Sequence, residues 1–387
     1  MNAPFDRRRT LVLKRGKERV VANRHPWIFA GAIHSERGPD DSAIGDLVDG
    51  EGKRLASGFY SRTSQIRLRA LTFGDEELTP DLIAQRIADA IARRKPIFDD
   101  STNAARLVHA EGDELSSIVI DRYADLLVVE LANRGVEQLK PLIVDVLQRE
   151  LAPRAIWFKN DLPVRELEQL PTENEAVEPA TILESGLRFR IDPGEGQKTG
   201  FFLDQRENRR LARSLAAGKR VLNLFSYSGA FGVYAAAGGA TAVTNVDVSA
   251  RAIDLARENH ALNDLPAEHV VADAFQYVRQ HRERYDVIVC DPPAFAKTRT
   301  DVDRAARGYK DVNLHAMKLV EPGGMLMTFS CSGHMSLDLF QKVIFAAAHD
   351  AQRRVSFVKR LTAGPDHPVS IYCPEGEYLK GFLLEVR

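Results

Sequence analysis

Cysteine is scarce in this chain, with only Cys290, Cys331 and Cys373 among 387 residues, far apart and without a C-x-x-C pair. That scarcity excludes a disulfide framework and a cysteine-built zinc site, so no metal is expected and a reducing cytoplasm fits. Charge of one sign is lacking too. The 53 Lys and Arg nearly cancel the 54 Asp and Glu, leaving a net charge of −1, so no global field draws the molecule to nucleic acid or to an anionic membrane. No apolar stretch follows the arginines at positions 7–9, which argues against a secretory leader. The least polar long window, residues 221–243, holds Asn223, Ser226, Ser228 and four glycines. It fits a buried strand, turn and helix better than a membrane span. Internal repeats and low-complexity tracts are absent. With 44% hydrophobic and 28% charged residues, the composition is that of a folded, soluble, cytoplasmic protein, and the length accommodates two or three domains.

What is present is unevenly spread. Residues 1–70 carry 14 Lys and Arg against 8 Asp and Glu, a basic front on a mildly acidic body. A nucleic-acid arm has that signature, and so does a solvated basic surface. Strand-like runs at 11–14, 43–49, 55–60 and 65–71, punctuated by glycines and charged turns, predict a small β-barrel or compact sheet over residues 1–75. Lys14, Arg15, Lys17, Arg19 and Arg24 precede Trp27 there, a rim of charge beside an aromatic. In residues 76–180, Leu82, Ile83, Ile87 and Ile91 fall at helical spacing behind Thr79 as N-cap and Pro80 at the first helical position. A hairpin over 117–131, a helix over 136–150 and a strand at 155–159 complete a mixed α/β region. The acidic, proline-bounded stretch 171–179 reads as a loop or linker.

Residues 181–387 alternate strand and helix. Strands are expected at 220–225, 242–248, 269–272, Tyr285–Cys290 and 324–330, with a last one from Gly381. The clearest helix covers 250–263, capped by Ser249. The pattern predicts an α/β fold, a parallel sheet covered by helices.

The dinucleotide fingerprint G-x-G-x-x-G is missing, since positions 225–232 read F-S-Y-S-G-A-F-G. A glycine turn nevertheless joins a strand to an alanine-rich helix, which brings backbone N–H groups close to a ligand. Asp247 stands 18 residues past Gly229, at the end of the next strand, where a carboxylate can accept from two ribose hydroxyls. The third strand ends at Asp273-Ala274, where an adenine amino edge could be met. S-adenosylmethionine has no pyrophosphate and so does not need the missing glycines; a nicotinamide dehydrogenase is disfavoured. The bland alternative is a nucleotide-free sheet with an ordinary glycine turn.

The fourth strand ends D-P-P-A-F at 291–295. In open α/β sheets the ligand crevice lies beyond the carboxyl ends of the strands, and the two prolines fix the backbone and withhold donors. A rigid Asp291 beside an aromatic can grip the edge and face of a flat base. Cys331, just past the fifth strand and flanked by Ser330, Ser332, Gly333 and His334, faces the same crevice in this scheme. Thiolate addition at carbon 6 of a pyrimidine would activate carbon 5 toward a methyl electrophile, with Asp291 neutralising charge on the adduct. Cys290, inside an apolar strand, reads as core. Cys373 has no evident partner, and His334, His315 and His367 read as ordinary polar residues.

Several stretches together resemble one family. They are R-H-P-W-I-F-A-G-A (24–32), G-Q-K-T-G-F-F-L-D-Q-R (196–206), N-L-F-S-Y-S-G-A-F (223–231), V-D-V-S (246–249), D-P-P-A-F (291–295), R-G-Y-K-D (307–311), T-F-S-C-S-G (328–333), D-H-P (366–368) and P-E-G-E-Y-L-K-G-F (374–382). Over nearly its full length the chain is similar to the bacterial RlmI-like 23S rRNA (cytosine-C5) methyltransferases. The resemblance implies an N-terminal PUA RNA-binding domain (1–75), a central α/β domain (76–180) and a C-terminal class I, Rossmann-like methyltransferase domain (181–387). It implies S-adenosylmethionine as donor, held by Lys198, Thr199, Gly200, Phe225, Ser226, Gly229, Asp247, Asp273 and Ala274. It makes Cys331 the nucleophile and Asp291 the residue that orients the base, with Arg307–Asp311 bordering the substrate. The partner would be 23S rRNA or an assembling large ribosomal subunit, with no membrane involved; oligomeric state stays open, a homodimer among the options. Two departures stand out. Ser228 replaces a common Thr, and positions 111–118 read E-G-D-E-L-S-S-I where relatives carry a G-L-P-G turn. Two other functions remain open: an exocyclic-amino (guanine N2-type) methyltransferase using Asp291-Pro-Pro with a structural Cys331, and a non-catalytic RNA-binding protein.

Overall fold

The structure, a computed structural model, describes residues 3–194, 196, 198–296 and 298–387; Gln197 of the 196–206 stretch lies outside them. Two compact units share the chain. The first takes the residues up to Ala180, then Ile191–Phe201 and Asp366–Gly376. The second takes Thr181–Arg190, Phe202–Pro365 and Glu377–Arg387.

In the first unit, six strands form one sheet in the order Trp27–Phe29, Ile66–Phe73, Arg54–Tyr60, Ile44–Val48, Arg8–Leu13, Ile33–Arg37. Arg8–Leu13 runs parallel to Ile44–Val48, and the other neighbours are antiparallel. Leu11, Ile28, Leu47 and Leu68 are its buried centre. The strand at Trp27–Phe29 is too short, and that at Ile33–Arg37 too polar, to show alternation, so the sequence did not announce them. A second sheet orders Ala155–Phe158, Leu126–Leu131, Ile118–Tyr123 and Ala104–His109. The helix Pro80–Arg94 buries Ile83, Ile87 and Ile91, and the Thr79 hydroxyl accepts the Leu82 N–H at 3.1 Å, as its spacing predicted. The single helix expected over 136–150 is instead Arg134–Glu137 followed by Lys140–Leu151. Pro141 explains the break: a proline ring clashes with the carbonyl four residues back, so it is tolerated only in a first turn. Residues 171–179 carry no regular structure.

The second unit contains a sheet of seven strands, here β1 (Arg220–Leu224), β2 (Ala242–Asp247), β3 (Glu268–Val271), β4 (Tyr285–Cys290), β5 (Val320–Ser330), β6 (Val355–Thr362) and β7 (Lys380–Val386). Their order is β3-β2-β1-β4-β5-β7-β6. Strands β3 to β5 along this order are parallel, and β7 lies antiparallel between β5 and β6. Helix α1 (Arg206–Leu215) leads into β1, and α2 (Ala230–Ala237), α3 (Ala250–Ala261), α4 (Ala274–Gln280), α5 (Val302–Leu319) and α6 (Leu337–Ala351) connect successive strands. Strand β6 was not anticipated, because V-S-F-V-K-R-L-T exposes five consecutive residues on a sheet edge and shows no alternation. The hairpin of Ala180–Glu184 and Leu187–Ile191 ties in through a buried charge. Glu184 accepts from the Arg209 Nε and Nη2 atoms at 2.8 Å each and from the Tyr234 hydroxyl at 2.9 Å. Removing one partner of such a pair costs about 3–5 kcal/mol, because the other charge stays buried alone. The parallel half places the carboxyl ends of β1, β2, β3, β4 and β5 along one rim, and the expected site residues of this unit lie there.

Candidate active site

The first half of the rim is shaped by backbone. Strand β1 leads into a loop where Phe225, Tyr227 and Gly229 all adopt left-handed φ, at 57°, 44° and 70°. Left-handed backbone costs a residue with a Cβ about 1–2 kcal/mol, so the neighbourhood must hold this loop in place. It does so by hydrogen bonds. The Ser226 N–H donates to Val246 O at 3.0 Å, the Tyr227 N–H to Asp247 Oδ2 at 2.9 Å, and Asn259 Nδ2 to Ser228 O at 2.9 Å. Glycine is required at 229 twice over, since a Cβ there would also come 2.7 Å from Ala256 Cβ. At 232 a Cβ would fall 2.3 Å from Asn245 Oδ1. Behind the loop runs a buried neutral network: Asn223 Nδ2 donates to Asn245 Oδ1 at 2.8 Å, and Asn245 Nδ2 to His260 Nε2 at 3.0 Å. His260 points its other nitrogen at Leu265 O, 3.2 Å away. Burial, with help from His269, pulls its pKa down to about 4.

Asp247 shows what this half can bind. Each carboxylate oxygen accepts one backbone N–H, from Tyr227 and from Ser249 at 2.9 Å, and each keeps a lone pair for a further donor. The Ser226 hydroxyl is buried without a partner, a group that a bound polar ligand would satisfy. Phe225, Phe275 and Phe295 gather with ring centroids 5.7–6.4 Å apart, an apolar surface for a flat ring. These donors, acceptors and rings fit a nucleoside such as S-adenosylmethionine and offer no cradle for a pyrophosphate. Asp273 spends one oxygen as N-cap of α4, accepting the Gln276 N–H at 2.9 Å, and Ala274 is buried as the first residue of that helix. Lys198, Thr199 and Gly200 belong to the first unit. There Lys198 is exposed, while the Thr199 hydroxyl donates to Asp121 Oδ2 at 2.5 Å and accepts from the Tyr123 hydroxyl at 2.7 Å.

The second half of the rim is shaped by side chains. Cys290 is wholly buried at the end of β4, and burial, then the Asp291 charge, drives its thiol far above the ordinary range; it is core, as the sequence indicated. Asp291 follows, half-buried, and Gln205 Nε2 donates to its Oδ2 at 3.0 Å. Gln205 is itself fixed, its Oε1 accepting from Asn208 at 2.6 Å. Cys331, just past β5, is partly exposed and its Sγ lies 3.6 Å from Pro292 O, which brings the sulfur to the Asp291-Pro292 turn. Ser332 locks this shelf: its hydroxyl accepts the Ala296 N–H at 3.2 Å and sits 3.1 Å from the Tyr309 hydroxyl. Burial raises the Tyr309 hydroxyl to about 12. Lys380 Nζ donates to Ser332 O at 2.9 Å. Sequence reasoning missed Gln205, Phe275 and Lys380 as members of the rim; Gln205 and Lys380 lay inside quoted stretches, the only signal available, whereas Tyr309 falls within 307–311, the segment expected to border the substrate. His334 is exposed, and within 307–311 Arg307 is exposed while Lys310 pairs with Asp350 and Asp311 with Arg279.

Cys373 does have neighbours. In the first unit its sulfur, a His25 ring nitrogen and a Glu375 oxygen lie within 4.8 Å of one another. His25 Nδ1 accepts the Trp27 N–H at 3.0 Å, so in the neutral ring Nε2 carries the proton toward Glu375, 3.2 Å away. That proton occupies the lone pair a metal would need. Among the described residues no helix is long and apolar enough to cross a membrane.

Residues 163–377 match the family of S-adenosylmethionine-dependent methyltransferases, and residues 11–73 match a PUA-like domain. The ribosomal RNA large subunit methyltransferase I of Shewanella denitrificans is 44% identical over 97% of this chain and 98% of its own length. The protein of the same name from Photobacterium profundum is 42% identical over 98% and 99%. Among solved structures, that of SMU.776 in complex with SAH superposes with a TM-score of 0.83 at 25% identity, covering 97% of this chain and all of its own.

Proposed function

The chain belongs to the ribosomal RNA large subunit methyltransferase I family of S-adenosylmethionine-dependent methyltransferases, and from that premise we propose that it methylates carbon 5 of a cytosine in 23S rRNA through a covalent Cys331 adduct. The observation that carries the proposal is the partly exposed Cys331 sulfur beside the Asp291-Pro292 turn, 3.6 Å from the Pro292 carbonyl. The donor, when bound, supplies an electrophilic methyl group. Ser226, Gly229, Asp247, Phe225, Asp273 and Ala274 hold it on this reading, with Lys198, Thr199 and Gly200 as further contacts that the resemblance assigns.

Carbon 5 of cytosine is a weak nucleophile. The Cys331 thiolate would add to carbon 6, forming an S–C bond and moving the ring π pair onto carbon 5, which would accept the methyl group while the pair of the broken S–CH3 bond stays on the donor sulfur. Asp291 holds the N3/N4 edge, where negative charge would otherwise build up in the adduct. Loss of the carbon-5 proton to solvent would then re-form the C5=C6 bond and expel the sulfur as thiolate. The PUA-like segment and its basic residues grip phosphates, so RNA affinity falls as salt rises. The rRNA is taken free or within an assembling subunit, in the cytoplasm.

A second reading is favoured by the same contact seen differently. A thiol donating to Pro292 O is also a structural hydrogen bond, which would leave Asp291-Pro-Pro to direct methylation of an exocyclic amine. Nucleoside mass spectrometry of 23S rRNA incubated with the protein and labelled donor separates the two. The proposal expects 5-methylcytidine, lost with Cys331→Ala; a methylated guanine amine, or 5-methylcytidine persisting in that variant, overturns it.

A further inference from the structure

Lys380 opens β7 opposite Ser330, the last residue of β5, in antiparallel register. Its side chain reaches back over the strand end, and Nζ donates to the carbonyls of Ser332 and Tyr378, each at 2.9 Å. Lys380 is thus fastened on either side of Cys331, its backbone by pairing at 330 and its ammonium by the carbonyl at 332. Lys380 is 5% exposed, and among the described residues no carboxylate pairs with it. The Glu377 carboxylate steadies the ammonium electrostatically without forming an ion pair with it among the described residues, and a cation bonded only to neutral carbonyls stays costly until an anion forms closer by. The Cys331 sulfur is such a group: burial lowers the Lys380 pKa, and the sulfur's charge acts against that.

We propose that Lys380 is a positioning residue that renders the Cys331 thiol acidic and holds its thiolate ready for attack; the inference rests on the assignment of Cys331 as nucleophile. Other groups around the sulfur oppose ionisation. The Pro292 carbonyl accepts from the S–H group, Asp291 just past β4 carries a negative charge, and Tyr309 of α5 is held protonated by burial. Tyr378, just before β7, turns its hydroxyl to Asp204 at 2.5 Å and brings no cation. Against this set a buried ammonium lowers a thiol pKa, as cationic neighbours do generally. The cation also explains why a thiol in a half-buried, carbonyl-lined position would be reactive at all.

The test is alkylation of the full-length protein with iodoacetamide across pH, followed at residue 331 by peptide mass spectrometry. Site resolution matters less than usual, since burial holds Cys290 far up and Cys373 up to about 12. The unaltered protein is expected to inflect below the ordinary thiol value of about 8.5. Lys380→Met raises the inflection by about one unit or more, and Lys380→Arg brings it most of the way back. Methyl transfer follows suit: Lys380→Met lowers kcat about tenfold at neutral pH with KM little changed, and alkaline pH restores it. Coincident alkylation profiles for the unaltered protein and Lys380→Met overturn the inference. So does an inflection at or above about 8.5 in the unaltered protein, which decides the matter even if the Met variant does not fold. Alkylation needs no turnover, so the two assignments fail separately. Undiminished methyl transfer by Cys331→Ala removes the nucleophile, whereas a flat comparison of profiles beside an inactive Cys331→Ala removes only Lys380.

Discussion

The two halves of the rim solve different physical problems with different materials. At the ends of β1 and β2, three left-handed residues and two sterically enforced glycines shape the backbone, and neutral amides and an uncharged His260 brace it from behind. At the ends of β4 and β5, side chains of opposite charge are brought to one sulfur: Asp291 on Gln205, Lys380 on Ser332, Cys331 on Pro292. A binding surface for a fixed cofactor profits from rigidity and neutrality. A reacting centre needs groups that change charge. The contrast teaches that the first half should respond to substitutions through affinity and stability, and the second through rate and pH.

The largest expected effect sharpens that division. Cys331→Ala should lower methyl transfer by at least about 10³-fold, as loss of a nucleophile does, while calorimetry finds S-adenosylmethionine affinity within about twofold of the unaltered protein. A parallel loss of affinity would mean that the halves are not separable. Next comes acid. His260 is neutral in the folded unit and free to protonate once unfolded, so stability is lost as pH falls below about 6.5, reaching on the order of 3 kcal/mol by pH 4. Urea titrations at a series of pH values measure this, and His260→Gln should flatten the slope. An unchanged slope would show that the bracing network is not what acid attacks. Asp247→Ala should weaken cofactor binding by about 10–100-fold, since it removes ligand acceptors and the Tyr227 tether together, with kcat at saturating donor nearly unchanged. The smallest effect is the most specific. Ser226→Ala should weaken the cofactor only about 2–10-fold and leave stability equal or slightly higher, because the hydroxyl has no partner in the free protein.

The same contrast governs what could be read from the chain. The first half is local: β1, the glycine turn and Asp247 lie within 28 consecutive positions, 220–247, so spacing alone exposed them. The sheet was legible for a similar reason, since parallel strands are apolar throughout and alternate with helices. The edge strand β6 and the short strands of the first unit were not, because little of either is buried. The second half is assembled from afar. Gln205 meets Asp291 across 86 positions and Lys380 meets Ser332 across 48, and no periodicity connects such residues. Thr199 shows the reverse. A resemblance can name a residue as a cofactor ligand, but its hydroxyl is already committed to Asp121 and Tyr123. At 111–118, where the resemblance leads to the expectation of a glycine-bounded turn, Glu114 and Ser117 adopt φ of 58° and 66°, left-handed backbone that the surrounding fold must hold in place.

The chemistry proposed for the second half of the rim stands on a carbon–sulfur bond between Cys331 and the target base. Fluorine at carbon 5 blocks the final proton loss and strands the enzyme on its substrate. Incubating the protein and methyl donor with 23S rRNA carrying 5-fluorocytosine should therefore yield a protein–RNA adduct that survives denaturation, maps to residue 331 by mass spectrometry, and disappears with Cys331→Ala. Methyl transfer to the unfluorinated RNA with no trapped adduct from the fluorinated one, or an adduct undiminished in the Ala variant, would contradict it.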